Sequence, residues 1–313
     1  MTELEGPGFS PETGTTEAPV GAIHDLGYKR YLGTRRDPRT RWRVIAREQV
    51  ASAWKFWWRF KAAFGLAAII TAIAGGMMLF TSDRKSSLGR AQGFAMQLID
   101  TTLPESIIWF CRAGFVVSLT IGATVVASDV QSGAFTFYFA RSVKPHHYVI
   151  GKLAGMCALL ALILVAGPLV IAGLRLGVSD DVDQLVDLLP ILWKTLVIGG
   201  VATLAYAAVP LGFSALMPNR RNALALWAAY YLVFGAMVYE LGKVSSGSLA
   251  ALDLPRAVQT ITYALFDLNF RSRDAQIPVA AAVASLAGHV VVAVALVSYQ
   301  VRRAQRTGVG GAS

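Results

Sequence analysis

Few residues in this chain have the capacity for chemistry, and most of them sit inside or beside long apolar runs. Glu105, Arg112, Lys194, Glu240 and His289 all fall within such runs. An ionisable side chain at that depth is costly, and it ordinarily faces a bundle interior or a polar cavity. Arg112 stands two turns from Glu105 on one helical face, so it reads as a paired or a snorkelling cation. His289 lies nearest the middle of its run, between Gly288 and Val290. It reads either as a substrate contact or as a neutral histidine bonded to a neighbouring helix, and the second reading is favoured. Arg112 and His289 are thus the candidates for a translocation path. His146 and His147 are adjacent, but no cysteine or carboxylate cluster joins them at metal-ligand spacing. The sequence has no G-x-x-x-x-G-K-S/T phosphate loop, no G-x-S-x-G and no H-E-x-x-H. It therefore predicts no catalytic, cofactor or metal site in this chain.

The elements that must position these residues follow from composition. The chain has 313 residues, 55% hydrophobic and only 15% charged, against about 25% charged in an ordinary soluble domain. Several apolar runs reach the ~20 residues that cross a hydrocarbon core. The runs are continuous and do not alternate, which excludes a β-barrel. The predicted fold class is all-α: a polytopic membrane protein with six transmembrane helices and an N-terminal amphipathic interfacial helix. Spans are expected near 61–80, 105–127, 149–173, 189–213, 222–242 and 277–299. Cys111 and Cys157 fall in different spans at different depths and read as small apolar residues.

The net charge of +10 is not a nucleic-acid signal, because 11 of the 29 Lys and Arg precede residue 62. Cations concentrated beside the first span follow the positive-inside pattern and attract anionic lipid. Residues 1–36 are expected to be a mostly disordered cytoplasmic tail. The first 22 residues are rich in Gly, Pro, Thr and Glu and lack the build of a signal peptide. Asp37-Pro38 reads as a helix start, opening an amphipathic helix over 37–60. There Arg43, Arg47, Lys55 and Arg59 form one stripe, with Trp54, Trp57 and Trp58 beside it, as suits a helix in the headgroup layer. Basic residues in the 128–148 loop, the 218–221 turn and the 300–313 tail place both termini on the cytoplasmic side. The 243–276 segment carries Leu249, Leu252, Leu254, Val258, Ile261, Leu265 and Phe266 at helical spacing, with Pro255 near the middle. It reads as short re-entrant helices or as a surface helix packed on the bundle. Pro168, Pro190 and Pro210 are expected to bend their spans.

The most informative segment is 128–152, which sits between two apolar runs. It opens with Asp129 and Gln131, turns through Gly133, and continues as Phe135, Phe137, Tyr138 and Phe139. It then passes through Arg141 and Lys144 to Pro145, Tyr148, Gly151 and Lys152. That is more apolar surface than a plain loop requires, and it predicts a docking surface.

The pattern Asp129…Gly133…Ala140-Arg141-Ser142-Val143-Lys144-Pro145…Tyr148…Gly151-Lys152 resembles the cytoplasmic loop of six-span ABC exporter permeases of the type 2 class. Tyr28–Arg35 resembles a start seen in some bacterial members. The chain departs from the family pattern at Asp129 (usually Glu), Ala134 (usually a hydroxyl residue), Ser142 (usually Pro), and in its aromatic rather than aliphatic strip. The resemblance implies that residues 129 to about 138 form a coupling helix inserted into a cleft of a separate soluble ATPase. Phe135, Phe137 and Tyr138 would fill the cleft. Arg141, Lys144 and Lys152 would set the entry of the next span or meet ATPase carboxylates or lipid. It further implies two ATPase copies that carry the ATP and magnesium, and a second permease subunit, identical or paralogous. The location implied is the bacterial cytoplasmic membrane. Two rivals remain: an ATPase-coupled scaffold or assembly factor, and a self-sufficient channel or secondary transporter. The apolar spans suit a lipid, an amphiphilic drug or a peptide as substrate, and Arg112 and Lys194 favour an anionic headgroup.

Overall fold

In a computed structural model the chain is described over residues 37–55, 60–84, 92–140, 143–179, 181–245, 247–268 and 276–307. Among these residues six helical stretches are long and apolar enough to cross a membrane: Ala62–Asp83, Gln97–Gln131, Pro145–Gly177, Val182–Leu216, Arg220–Val244 and Val279–Arg306. In lipid every backbone polar group must be satisfied within its own segment, which is why the apolar runs become helices. Each expected span overlaps one of the observed stretches, and those near 61–80 and 277–299 begin one and two residues early.

The helices are α1 (Trp42–Lys55), α2 (Ala62–Arg84), α3 (Gln92–Val117), α4 (Ala123–Gln131), α5 (Ala134–Ala140), α6 (Pro145–Leu164) and α7 (Ala166–Gly177). They continue with α8 (Val182–Leu188), α9 (Pro190–Leu216), α10 (Arg220–Ala229), α11 (Gly235–Val244), α12 (Leu254–Leu265) and α13 (Val279–Thr307). The second span is α3 and α4 joined by a π-helical segment, Ser118–Gly122. The fifth is α10 and α11 joined by another, Tyr230–Phe234. A π segment carries an extra residue per turn, shifts the side chains that follow, and often marks a functional position.

Prolines act unequally. Pro168 and Pro190 lie in the first turn of α7 and α9, at breaks after Leu164 and Leu188, where a missing N–H costs least. Pro104 and Pro210 remain inside α3 and α9 without ending them. Where α6 gives way to α7, α9 comes so near that a Cβ on Gly199 would stand 2.6 Å from the Leu164 carbonyl oxygen. Only glycine fits this crossing.

The core lies where α9 meets α6, α4 and α13. Tyr206, Trp227, Phe110, Met156 and Leu160 are fully buried there. Trp227 donates to Ser118 Oγ at 3.1 Å, which ties the fifth span to the π segment of the second. Ser214 Oγ accepts from the backbone N–H groups of Val126 and Ala127 at 3.0 and 2.9 Å, which ties the fourth span to the same place. At the end of the bundle opposite the α4–α5 turn, Arg175 grips Asp100 at 2.7 Å and Lys194 meets Asp267 at 3.2 Å. The 243–276 segment forms a 3-10 turn (Ser248–Leu252) and then α12, with Pro255 in the first turn of α12 rather than between two helices. Leu254, Ala257 and Val258 of α12 are buried against α3, α9 and α13.

The start of α1 follows the sequence signal: Asp37 Oδ1 accepts from the N–H of Arg39 at 2.8 Å. Ile45, Gln49 and Ala53 recur every four residues and are buried, while Arg43, Arg47, Trp54 and Lys55 are exposed. Trp57, Trp58 and Arg59 lie outside the described residues. The buried stripe of α1 rests on α6 because α6 presents Gly151 and Gly155. A Cβ on Gly151 would stand 2.7 Å from Ile45 Cβ, and one on Gly155 3.1 Å from the Ala46 carbonyl oxygen.

Gly151→Leu should therefore lift α1 away from α6, at a cost on the order of 2 kcal/mol. In a background lacking Cys111 and Cys157, Ala53→Cys should resist a maleimide in the parent protein and react once Gly151→Leu is added.

Candidate functional site

Two places gather polar and aromatic side chains, at opposite ends of the bundle. The first is the α4–α5 hairpin. α4 carries the second span out to Gln131, and Gly133 then turns the chain with a φ of 67°. That left-handed conformation carries no penalty only for glycine. α5 runs back beside the start of α6. Behind the hairpin lies a buried charge cluster: Asp129 Oδ2 accepts from Tyr148 Oη at 2.7 Å and pairs with Lys152 Nζ at 2.7 Å. Tyr148 is fully buried, and the Asp129 and Lys152 side chains are 16% and 10% exposed. A buried pair of this kind is weak evidence for net stability, but removing one partner strands a charge.

The aromatic strip divides between two faces. Phe135 is buried, parallel to Phe139 at 5.7 Å and edge-on to Tyr148 at 5.1 Å. Tyr138 is half-buried against Tyr148 at 5.5 Å. Burial pushes its phenol up to about 12, and the negative charges of Asp129 and Glu48 add to this. Phe137 alone of the three points outward, 76% exposed, and Gln131, Thr136 and Lys144 are exposed as well. The expectation that Phe135 fills a partner's cleft is thus corrected: it fills this chain's own core. Asp129 likewise braces the hairpin from behind, and Lys152, expected at a span entry or on a partner, is committed to Asp129. Arg141 lies outside the described residues. Beside the cluster a polar cavity of about 250 Å³ is lined by Gln49, Ser52, Ser128, Asp129 and Lys152, and the buried Gln49 amide has no protein partner.

The second place is a chamber of about 830 Å³ bounded by α3, α11 and α12. Glu105 and Arg112 both line it but are not joined: Glu105 accepts from Tyr263 Oη at 2.6 Å, and the Arg112 guanidinium lies 4.2 Å from the centre of the Trp109 ring. Arg256 lies 4.2 Å from the Tyr239 ring and donates to Gln259 Oε1 at 2.7 Å. Glu240 pairs with Lys243 at 2.7 Å. Asp253 is buried, and burial pushes its carboxyl up to about 6 against the opposing pull of Arg256. Lys194, expected to share an anionic site with Arg112, is instead held by Asp267 away from the chamber.

His289 is half-buried on α13. Its Nδ1 donates to the Ser285 carbonyl oxygen at 2.6 Å, and its Nε2 meets Tyr230 Oη. It thus bonds its own helix and the neighbouring fifth span, which is the structural alternative of the two readings. Periodicity did not reveal the aromatic cluster of Phe115, Tyr206, Phe213, Trp227, Tyr230 and Tyr231 between the two π segments. There Phe115 and Tyr231 stack at 3.8 Å, and the hydroxyls of Tyr206 and Tyr231 lie 3.1 Å apart. Its only trace in the sequence is the run Trp227-Ala-Ala-Tyr230-Tyr231. No protein-family model matches the chain, and no curated protein matches its sequence.

Lys152→Met should cost about 3–5 kcal/mol in denaturation in detergent micelles, while Asp129→Leu with Lys152→Met should cost much less. Equal losses would mean that the pair is not buried as described. At Asp253 the sign follows from a folded-state value raised above the ordinary carboxylate range. Its contribution is fully favourable below about 4 and is lost as pH rises through about 6. Asp253→Asn should therefore raise the unfolding temperature at pH 8 and leave it unchanged at pH 4.

Proposed function

We propose that this chain is the membrane-spanning subunit of an ATP-driven exporter, served by a separate soluble ABC ATPase that docks on the α4–α5 hairpin. The observation that carries the proposal is Phe137. It is a large aromatic left 76% exposed midway along a short helix whose other face is fixed to the bundle. An exposed aromatic anchor on a rigid support has the make-up of an interface hot spot. The resemblance of residues 129–152 to type 2 permease loops points to the same surface.

Movement of the hairpin has a defined path into the bundle. α5 is tied through Phe135 and Tyr138 to Tyr148 on α6, and α4 is tied to the same helix through Asp129 and Lys152. A pull on α5 therefore acts on the second and third spans together. Along the second span the displacement reaches the π segment at Ser118–Gly122, where the helical ladder is least regular. Two such chains, each gripped by one ATPase, would alternate between two packings as ATP closes and releases the ATPases. ATP and magnesium belong to those partner subunits in this proposal, and the chain itself performs no bond chemistry.

The membrane is the bacterial cytoplasmic membrane, with both termini and the α4–α5 hairpin on the cytoplasmic side. α1 lies in the headgroup layer there. It sets Arg43, Arg47 and Lys55 against anionic lipid, with Trp54 beside them. A secondary transporter would call for deep ionisable residues held ready for an ion, and the contacts of His289 to Tyr230 and Ser285 disfavour that alternative.

Purification of the tagged chain in mild detergent should recover a P-loop ATPase at a one-to-one ratio. Phe137→Ser should release it, weakening association about ten-fold or more, while the chain keeps its unfolding temperature. Recovery of the chain alone across several detergents, or an intact complex with Phe137→Ser, would overturn the proposal.

A further inference from the structure

The chamber between α3, α11 and α12 has a neighbour. A groove of about 460 Å³ runs between α2 and α3, walled by Leu66, Ile70, Ile73 and Met77 on one side and by Thr102 and Ser106 on the other. Glu105 and Trp109 line both the groove and the chamber. One space is charged and aromatic, the other apolar, and they meet at one carboxylate and one indole. This is the shape of a site for a molecule with a charged end and a hydrocarbon end.

The uncommitted donors in the chamber decide the sign of the head. Three cations and three carboxylates line it. Lys243 is taken by Glu240, and Glu105 is held by the Tyr263 hydroxyl. Asp253 is buried, which raises its carboxyl to about 6 while Arg256 opposes the rise. All three cations lie over aromatic rings, but Arg112 and Arg256, unlike Lys243, have no carboxylate within ion-pair distance among the described residues. Arg112 is exposed into the chamber, and Arg256 spends one N–H on the neutral amide of Gln259. A guanidinium fixed over a ring keeps most of its donors free in a fork that matches an oxyanion.

We infer that the chamber and groove form a single site for an amphiphile with an oxyanion head, such as a phosphate ester. The head sits between Arg112 and Arg256, and the hydrocarbon chain lies in the groove along α2. Trp109 separates the two, with its ring fixing Arg112 on the chamber side. The groove opens outward at Ile69, Ile73 and Met77, which are exposed on the side of the bundle, so the chain can enter from the bilayer. The inference does not rest on the exporter proposal, because a scaffold or channel with this bundle would present the same site.

The test is binding of phosphatidylglycerol, labelled on its acyl chain, to the purified protein in a neutral detergent without nucleotide. Labelled phosphatidylcholine and free glycerol 3-phosphate serve as comparisons. Saturable binding of phosphatidylglycerol is expected. The double variant Arg112→Gln with Arg256→Gln should weaken it about ten-fold or more, and phosphatidylcholine should bind the native protein comparably poorly. Arg112→Lys with Arg256→Lys should bind more tightly than the glutamine variant and less tightly than the native protein, which separates lost charge from lost fold. Ile73→Trp, which fills the groove, should weaken binding with both arginines intact. Glycerol 3-phosphate should compete only far above the lipid concentration. Equal binding of the two lipids, undiminished binding by the glutamine variant, or competition by glycerol 3-phosphate at lipid concentrations would each overturn the inference. None of these results depends on an ATPase, so failure here is distinct from failure of the docking proposal.

Discussion

A carboxylate buried at the end of a membrane helix must be paired, and the organisation of the α4–α5 end follows from how Asp129 is paired. Its Oδ2 atom takes both the Tyr148 hydroxyl and the Lys152 ammonium. Both partners stand on α6, one turn apart, so the constraint locks the end of the second span to the start of the third. The hairpin between them can then take few orientations. Phe135 must pack on Tyr148, and Phe137, two residues on, is turned to the outside. The exposed aromatic is thus a consequence of the buried charge. Gly151 extends the constraint, because the turn of α6 that carries Lys152 is also the one that admits α1.

The opposite end follows different physics. There the ionisable groups are not sealed in a core but distributed around an open chamber, each cation on an aromatic face or a nearby acid. Between the two ends lies an aromatic cluster flanked by two π segments, where Trp227 reaches Ser118 and Tyr231 stacks on Phe115. Close-packed side chains transmit displacement because they do not compress. A helix that changes its residues per turn in mid-membrane offers a place where such displacement can be absorbed or redirected. The second span carries all three features in order: the chamber residues Glu105 and Arg112, the π segment, and Asp129. Among the described residues it lines both candidate sites.

The class of protein was legible in the sequence because it depends on composition and run length alone. Hydrocarbon demands about 20 apolar residues per crossing and full backbone hydrogen bonding, whatever the helices later touch. For the same reason the spans around residues 61–80, 149–173 and 222–242 could be placed from periodicity and charge. Asp37 as a helix start and Gly133 as a turn were legible too, because each follows from local backbone chemistry, whereas Pro190, expected to bend its span, opens it instead.

Facing was decided only by the tertiary structure. Phe135 and Phe137 are the same residue type two positions apart, and nothing local distinguishes the one that fills the core from the one left outside. Only the Asp129–Lys152 pairing, set by residues 23 positions apart in the numbering, decides between them. Glu105 and Arg112 share a helical face, which suggested that they pair. Yet α12 brings Tyr263 to Glu105, and Trp109 takes Arg112, because each found a nearer partner once the helices packed. Lys194 looked equivalent to Arg112 until the turn carrying Asp267 claimed it. The sequence by itself determined that this chain crosses a membrane as helices, because that follows from the solvent. Which of its few polar groups are spent on one another, and which are left open to a ligand or a partner, was decided by long-range packing that no local pattern encodes.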